Sequence, residues 1–270
     1  MLAASMIARD VDVPAGPAAA EPGTSAPAPV RRRRWRLVWI GLAALLVGWL
    51  AWEALTWPDV ADLVRHAPKT TAFIDEYRYG FLGSLGLAAP KPVQWKWVPY
   101  ARISPNLKVA VLIGEDADFF AHHGFDTEEM EDALREAWEE KHLPRGASTL
   151  TQQLAKNLWL SRSRNPLRKF KEAALTRQLE SHLTKRRIFE IYLNVVEFGD
   201  GIYGAEAAAR HYFAKPAAAL TLSEAAQLAA SLPYPHGWHP GSRSRSYLWR
   251  VRMIERRMGR ARWLWGEVGG

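Results

Sequence analysis

The sequence predicts a mainly α-helical protein in which one transmembrane helix precedes a helical domain. An apolar run from Leu37 to Trp57 contains a single charged residue, Glu53, and can supply the about 20 residues of helix that span a bilayer core. From residue 107 onward, apolar residues recur at helical spacing. No strand alternation of useful length occurs there, which favours helices over a sheet.

Composition divides the chain into four parts. Residues 1–36 are rich in Ala and Pro and end in an arginine cluster, so we expect a disordered tail. Residues 37–57 form the predicted transmembrane helix. Residues 58–99 are punctuated by Pro and Gly and are predicted to be a juxtamembrane connector, and residues 100–260 form the main domain.

The arginine cluster predicts the orientation of the transmembrane helix. Arg31 to Arg34 and Arg36 precede the apolar run, and such clusters stay on the cytoplasmic side of a membrane. The main domain is therefore expected outside the inner face. Tail and run together are too long for a typical cleaved signal peptide. A buried core helix would need a surrounding domain that the flanking sequence does not supply.

The main domain is predicted as a succession of helices. Asp126 and Glu129 resemble a capping box that opens one of them, and Pro166 suits the first turn of another. Further helices are predicted at residues 149–160, 166–183, 185–194, 204–213, 225–232 and 244–258. In the connector we expect a helix within residues 61–79 and an extended segment at residues 93–100.

Charge and composition narrow the possible partners. The chain has 36 Lys plus Arg against 28 Asp plus Glu, a net charge of +8, of which the first 36 residues contribute +3. The remaining +5 fits an anionic partner such as phosphate, nucleic acid or a lipid headgroup, without choosing among them. The absence of cysteine excludes disulfides and thiolate metal sites.

Glu115 is the candidate proton acceptor. It follows the apolar run Val109–Ile113, so we expect it to be partly desolvated. Desolvation raises the pKa of a carboxyl group and makes it a useful base near neutral pH. A helix-terminal charge or a surface salt bridge is the competing structural role.

Lys156, Arg164 and Lys169 form a cationic series over two predicted helices and the loop between them. Such a series can neutralise a pyrophosphate, because arginine binds two oxygens at once and lysine acts as a point charge. A solvated basic face is the alternative. Glu172 lies three residues after Lys169, so an intrahelical ion pair is also expected there.

Polar side chains surround these charges. Ser148, Gln152 and Gln153 offer a hydroxyl and amides suited to sugars, although caps and exposed helix positions explain them equally. His122 and His123 have no cysteine and no third ligand at helical spacing, so no zinc site is expected there and His122 is interpreted as a structural hydrogen-bonding residue. Asp116 is interpreted as a local cap or pairing residue.

Four sequence blocks, taken in order, carry a family resemblance. They are Glu-Asp-x-x-Phe-x-x-His-x-Gly at 115–124, Gly-Ala-Ser-Thr-x-x-Gln-Gln-x-x-Lys-Asn at 146–157, Arg-Lys-x-x-Glu at 168–172 and Lys-Arg-Arg-Ile-x-x-x-Tyr-Leu-Asn at 185–194. The set resembles the peptidoglycan glycosyltransferases, glycosyltransferase family 51. The chain ends soon after residue 258, so the resemblance points to the monofunctional biosynthetic transglycosylases of the Gram-negative inner membrane.

The resemblance implies a lysozyme-like helical fold and the polymerisation of lipid II into β-1,4-linked glycan strands with release of undecaprenyl diphosphate. Glu115 would be the general base, supported by Asp116. The cationic series at 156, 164 and 169 would hold the diphosphate. Ser148, Gln152 and Gln153 would contact sugar and phosphate groups.

The resemblance also implies partners and a cation. Glu172 would orient cations or a divalent metal, Mg²⁺ or Mn²⁺, and no cofactor is expected to bind permanently. The expected partners are lipid II, the nascent glycan strand, inner-membrane lipids and proteins of cell division or elongation, with no nucleic acid. The closing family motif is altered here, with Arg250 and Arg252 before Met253 and Ile254, which leaves the role of these arginines open.

Two other functions compete with this interpretation. A lytic hydrolase on a lysozyme-like fold would use a carboxylic acid to protonate the leaving oxygen, but it needs no diphosphate-binding cations. A scaffold protein of the division or elongation machinery would need no complete set of motif residues.

Overall fold

The computed structural model describes residues 30–125, 148–163 and 165–269, except the side chains of residues 30–34 and 166. The predicted helix that begins near Asp126 lies outside the described residues, as does Arg164. The described α helices are α1 Val30–Leu55, α2 Ala72–Ser84, α3 Pro105–Glu115, α4 Leu150–Trp159, α5 Pro166–His182, α6 Lys185–Val195, α7 Ala205–Phe213, α8 Leu222–Ser231, α9 Arg245–Met258 and α10 Arg262–Gly269. Short 3₁₀ helices occur at Ala61–Val64, Tyr100–Arg102 and Ala217–Ala219. The prediction of a mainly α protein is confirmed.

Helix α1 belongs to a first unit that ends at Trp57. Its segment Trp35–Leu55 has 21 residues and a mean hydropathy of 1.8, so it is long and apolar enough to cross a membrane. Large apolar side chains such as Leu45 and Leu55 are exposed along it. The predicted single apolar helix is therefore present, and it ends two residues earlier than the apolar run.

Helix α3 forms the centre of the second unit, which begins at Pro58. The Ser104 hydroxyl accepts a hydrogen bond from the Asn106 amide and caps the helix, and Pro105 occupies its first turn. Every residue from Leu107 to Ile113 is buried. Helices α8, α9 and α10 pack against α3, because an apolar helix with no polar face must be covered on several sides.

Helices α4, α5 and α6 pack on one another beside this centre. A capping box between Thr149 and Gln152 begins α4, and the Thr184 hydroxyl caps α6. Both helices bury one apolar face. Helix α2, which is kinked at Gly80, packs on α4. These contacts hold α4 beside α2, α5 and α6.

A small sheet joins the connector to the helices. Its strands are β1 Gln94–Trp95, β2 Glu197–Gly199 and β3 Ile202–Tyr203, in the order β1-β3-β2. Strand β1 pairs parallel to β3, and β2 pairs antiparallel to β3. The expected extended segment contains β1, but β2 and β3 were not predicted. Strands of two or three buried residues are too short to show alternation.

The side chain of Asn194 binds the connector to α6. Its Oδ1 accepts from the Val98 amide at 2.8 Å and its Nδ2 donates to the Val98 carbonyl at 2.9 Å. The indole of Trp95 donates to the Asn194 carbonyl at 2.7 Å. At the other end of the chain, α10 packs on α3 through the buried Leu264 and Val268. The compact unit therefore includes the connector and extends past residue 260, while the four domain boundaries stay predictions.

Replacing Gly204 with Ala is expected to destabilise this unit. Gly204 has φ +81°, and a Cβ there would lie 2.4 Å from the Asn194 carbonyl oxygen. The cost combines about 1–3 kcal/mol of backbone strain with about 1–3 kcal/mol of overpacking. Gly241→Ala is the matched control, because Gly241 has φ +92° but nothing within 4 Å of the added Cβ. Urea midpoints from tryptophan fluorescence should fall clearly further for Gly204→Ala, and equal midpoints would refute the steric argument.

Candidate active site

Glu115 is the last residue of α3, and its side chain is only 11% exposed. Its two carboxylate oxygens accept from different partners. Arg250 NH2 donates to Oε1 at 2.9 Å, and Gln153 Nε2 donates to Oε2 at 3.1 Å. The end of α3 thus positions the Glu115 carboxylate in a largely buried site, where it accepts hydrogen bonds from an arginine and an amide.

Burial raises the pKa of Glu115, and it is the largest influence on this group. The charge of Arg250 and the hydrogen bonds from Gln153 and Arg250 lower the pKa, but they do not cancel the effect of burial. A carboxylate with a raised pKa binds a proton more strongly than an exposed one. Glu115 therefore has the property that a general base needs near neutral pH.

Arg250 fastens α9 to the end of α3. Its Nη2 atom donates to the Gly114 carbonyl at 2.6 Å as well as to Glu115. A cation at a helix C-terminus also interacts favourably with the helix dipole. Arg252, two residues further along α9, is exposed. The two arginines whose roles the altered family motif left open therefore differ, because Arg250 contacts Glu115 and Arg252 is exposed.

A second hydrogen bond orients the Gln153 amide. Tyr192 donates its hydroxyl to Gln153 Oε1 at 3.0 Å, so the amide must turn its NH2 group towards Glu115. Burial raises the pKa of Tyr192 well above its ordinary value, and the charge of Glu115 raises it further. Tyr192 consequently stays a neutral donor, and Gln153 stays correctly oriented for the carboxylate.

Asp116 and His122 connect the base to the start of α4. Asp116 Oδ2 accepts from the Leu150 amide at 2.8 Å, and Oδ1 lies 3.0 Å from His122 Nε2. The structural role expected of His122 is confirmed. Gln152 is buried, and its Oε1 accepts from the Thr149 amide within the capping box. Ser148 contributes its carbonyl to Gln153 Nε2 at 3.3 Å.

A cationic cluster lies between α4 and α5 and consists of Lys156, Arg168 and Lys169 around Glu172. Glu172 is buried, and Arg168 NH1 donates to its Oε2 at 2.8 Å while Lys169 Nζ donates to its Oε1. The expected intrahelical ion pair is confirmed. Burial lowers the pKa of Lys156, Glu172 raises it, and the charges of Arg168 and Lys169 lower it again. Three cations around one carboxylate leave an excess of positive charge.

Comparison with known proteins identifies the family of this fold and site. The family model described as Transglycosylase matches residues 84–259. The chain belongs to the transglycosylase family. It is 44% identical over 227 residues to the biosynthetic peptidoglycan transglycosylase of Laribacter hongkongensis. The aligned residues cover 82% of this chain and 97% of the relative. For the protein of the same name from Thiobacillus denitrificans the identity is 43% over 228 residues, covering 84% and 97%.

A third relative has the same name. The biosynthetic peptidoglycan transglycosylase of Cupriavidus pinatubonensis is 45% identical over 201 residues, covering 74% of this chain and 79% of the relative. The membership of the peptidoglycan glycosyltransferase family that the four sequence blocks predict is confirmed, and the transglycosylase is an enzyme.

One face of α4 connects the two halves of the transglycosylase site. Gln153 contacts Glu115, the candidate base, and Lys156 lies three residues later in the cationic cluster. Residues three apart share a helix face and are separated by about 4.5 Å along its axis. The site can therefore remove a proton near Glu115 and stabilise negative charge near Lys156. Arg164, the third predicted cation, lies outside the described residues.

Sequence reasoning missed three contributors to the site. Arg168 stands inside the third sequence block but was not proposed as a binding residue, and Tyr192 stands inside the fourth. Arg250 had a detectable signal, because it lies three residues after Tyr247 and four before Ile254, both of which are buried. A charged residue on the apolar face of a helix indicates a buried partner.

Replacing Arg250 with Met is expected to move the acidic limb of the pH–rate profile to higher pH. Glu115 acts as a base only when it is ionised, so activity falls as the pH drops through its pKa. Removing the charge that lowers this pKa raises it. The loss of a charged hydrogen bond of about 1.5–3 kcal/mol should also reduce kcat/KM by about 10-fold or more at neutral pH.

Arg252→Met is the matched control for this experiment, since it removes an exposed arginine from the same helix. Arg252→Met should leave the acidic limb of the pH–rate profile at the wild-type pH. An unchanged acidic limb in Arg250→Met would mean that Arg250 does not influence the base.

Proposed function

We propose that this transglycosylase builds the glycan strands of peptidoglycan during cell-wall biogenesis, by polymerising lipid II and releasing undecaprenyl diphosphate. One observation carries the proposal. One face of α4 carries both Gln153, which holds the buried Glu115 carboxylate of raised pKa, and Lys156 of the cationic cluster. The names of the relatives, which are biosynthetic peptidoglycan transglycosylases, support the same conclusion.

In the proposed reaction Glu115 takes the proton from the acceptor sugar's 4-hydroxyl group. The oxygen attacks the anomeric carbon of the donor, a new C–O bond forms, and the bond from that carbon to the diphosphate oxygen breaks. Attack from the opposite face inverts the anomeric centre from α to β. Gln153 and Arg250 hold the carboxylate in one orientation for this transfer, which positions the base before the substrate arrives.

The departing diphosphate gains negative charge as the bond breaks. Lys156 and Lys169 stabilise this charge, together with Arg164, and such preorganised electrostatic stabilisation is a large contribution to catalysis. Glu172 holds Lys169 and Arg168 in place through its two oxygens. Ser148 and Gln152 stay predictions as residues that contact sugar and phosphate.

A divalent cation at Glu172 also stays a prediction. Both carboxylate oxygens of Glu172 already accept from cations, and within the described ranges Glu172 belongs to no group of three or more potential metal ligands. The side chains around it thus favour an anionic ligand over a metal ion. The proposed reaction includes no step through a metal.

The proposed location is the inner membrane, with a cytoplasmic N-terminus and the catalytic unit in the periplasm. The apolar segment Trp35–Leu55 and the arginines before it support this orientation. A membrane anchor keeps the enzyme close to a lipid-linked substrate, which diffuses only within the bilayer. Proteins of cell division or elongation are the proposed protein partners.

Replacing Glu115 with Gln is expected to reduce polymer formation from labelled lipid II by at least ~10²-fold, because a general base typically contributes that much or more. Detergent-solubilised wild type, Glu115→Gln and the control Glu255→Gln would be compared by gel. Glu255 accepts a hydrogen bond from Ser223 and lies outside the site. Equal polymer from Glu115→Gln and wild type would move the base elsewhere.

Two results, one from a separate incubation with sacculi and one from this assay, would favour the competing functions. Soluble muropeptides released from sacculi by the wild type would support a lytic hydrolase. A folded wild type that forms no polymer would support a scaffold protein.

Inorganic pyrophosphate tests the role of the cationic cluster. It should inhibit polymerisation by the wild type, and Lys169→Met and Lys156→Met should each weaken this inhibition by about 10-fold, which corresponds to losing a charged hydrogen bond. Lys215→Met is the control, because Lys215 also pairs with a glutamate, Glu224. Undiminished inhibition in both cluster variants would contradict the assignment.

A further inference from the structure

Three potential metal ligands converge outside the residues assigned to catalysis. Glu197 belongs to β2, Asp200 lies in the turn between β2 and β3, and His236 follows α8. One nitrogen of His236 and one carboxylate oxygen from each acid lie within 4.8 Å of one another. We propose that these three side chains form a binding site for a zinc ion.

A buried oxygen atom of Glu197 points to a ligand at this place. The Glu197 side chain is only 5% exposed, and among the described residues its Oε1 has no partner of good hydrogen-bond geometry, although the Tyr203 hydroxyl is close enough for Glu197 to raise the pKa of that hydroxyl. Leaving a charged oxygen buried and unsatisfied is costly. The nearest cationic candidate is His236, whose Nε2 lies 3.7 Å from Glu197 Oε1, beyond hydrogen-bonding distance.

The distance between His236 Nε2 and Glu197 Oε1 suits two ligand atoms of one metal ion. Zinc binds imidazole nitrogen and carboxylate oxygen at about 2.0–2.2 Å, so two ligand atoms of a tetrahedral site lie about 3.3–3.6 Å apart. The Nε2–Oε1 distance is close to this range. Asp200 Oδ1 lies 3.2 Å from His236 Nδ1, near enough to become a ligand or to orient the ring by accepting from it.

The remaining oxygens of the two acids are held by outer contacts. Arg162 NH2 donates to Glu197 Oε2 at 2.7 Å, and the Tyr77 hydroxyl donates to Asp200 Oδ2 at 3.4 Å. Metal-binding carboxylates are usually oriented by hydrogen bonds of this kind. Glu197 can therefore bind the ion through Oε1 without giving up Arg162, whereas Asp200 Oδ1 would exchange its contact with His236 Nδ1 for the ion.

The ligand set favours zinc over magnesium, calcium and manganese. Mg²⁺ and Ca²⁺ prefer sites made only of oxygen, whereas an imidazole favours zinc and other transition metals, among which zinc binds more tightly than manganese. The Asp200 and His236 side chains are 71% and 44% exposed, so the ion can enter from solvent and retain water at its fourth position. Bound zinc would fasten the β2–β3 turn to the segment after α8.

Zinc binding to the full chain in detergent, freed of any histidine tag and of metal, tests the proposal. Wild type should take up a single zinc ion in calorimetry, and its Tm should rise by about 5 °C or more when free zinc exceeds the Kd about 100-fold. His236→Gln and Asp200→Asn should weaken zinc binding by at least about 10-fold. Both changes lie at exposed positions, so the variants should fold.

His66→Gln is the matched control. His66 Nδ1 lies 2.6 Å from Asp62 Oδ1, but among the described residues this pair belongs to no group of three potential metal ligands. This variant should bind zinc like the wild type, and magnesium at the same concentrations should raise no Tm. Zinc affinity in His236→Gln equal to that of the wild type would overturn the proposal, as would a wild type that binds no zinc. Neither result would affect the proposed glycan polymerisation, which does not involve this site.

Discussion

The buried carboxylate of Glu115 is the constraint on which the rest of the catalytic unit depends. An ionised carboxylate at the end of an apolar helix is unfavourable unless other groups compensate for the lost water. Arg250 supplies the opposite charge, and Gln153 supplies a hydrogen bond. These two contacts require α9 and α4 to approach the same end of α3.

Helix α4 combines structural and chemical roles because its two faces differ. Its apolar face packs against α5 and α6, and its start is fastened by a capping box and by Asp116. Its polar face presents Gln153 to the base and Lys156 to the cationic cluster. In the proposed reaction this rigid helix would set the separation between proton removal and charge stabilisation, which a loop would hold less accurately.

Burial and neighbouring charges have opposing effects on the pKa values of the charged groups in the site. Burial raises the pKa of Glu115 while Arg250 lowers it, and burial lowers the pKa of Lys156 while Glu172 raises it. Both groups lie where water is largely excluded, and burial keeps the pKa of Glu115 raised and that of Lys156 lowered despite the opposing charges. Electrostatic interactions are stronger in such places than in bulk water, which is why a small number of side chains can carry out the proposed transfer.

Local patterns in the sequence determined the long apolar helix, most helix boundaries and the choice of Glu115 and the lysines as candidate site residues, since apolar runs, caps and motif spacing involve residues close together in the chain. Only the tertiary structure decided which groups meet across long separations. Arg250 and Glu115 are 135 residues apart. Of the two adjacent glutamines, packing directs Gln153 to the base and Gln152 to the cap. The small sheet and the grouping of Glu197 with His236 depend equally on burial and distance, which a one-dimensional pattern does not contain.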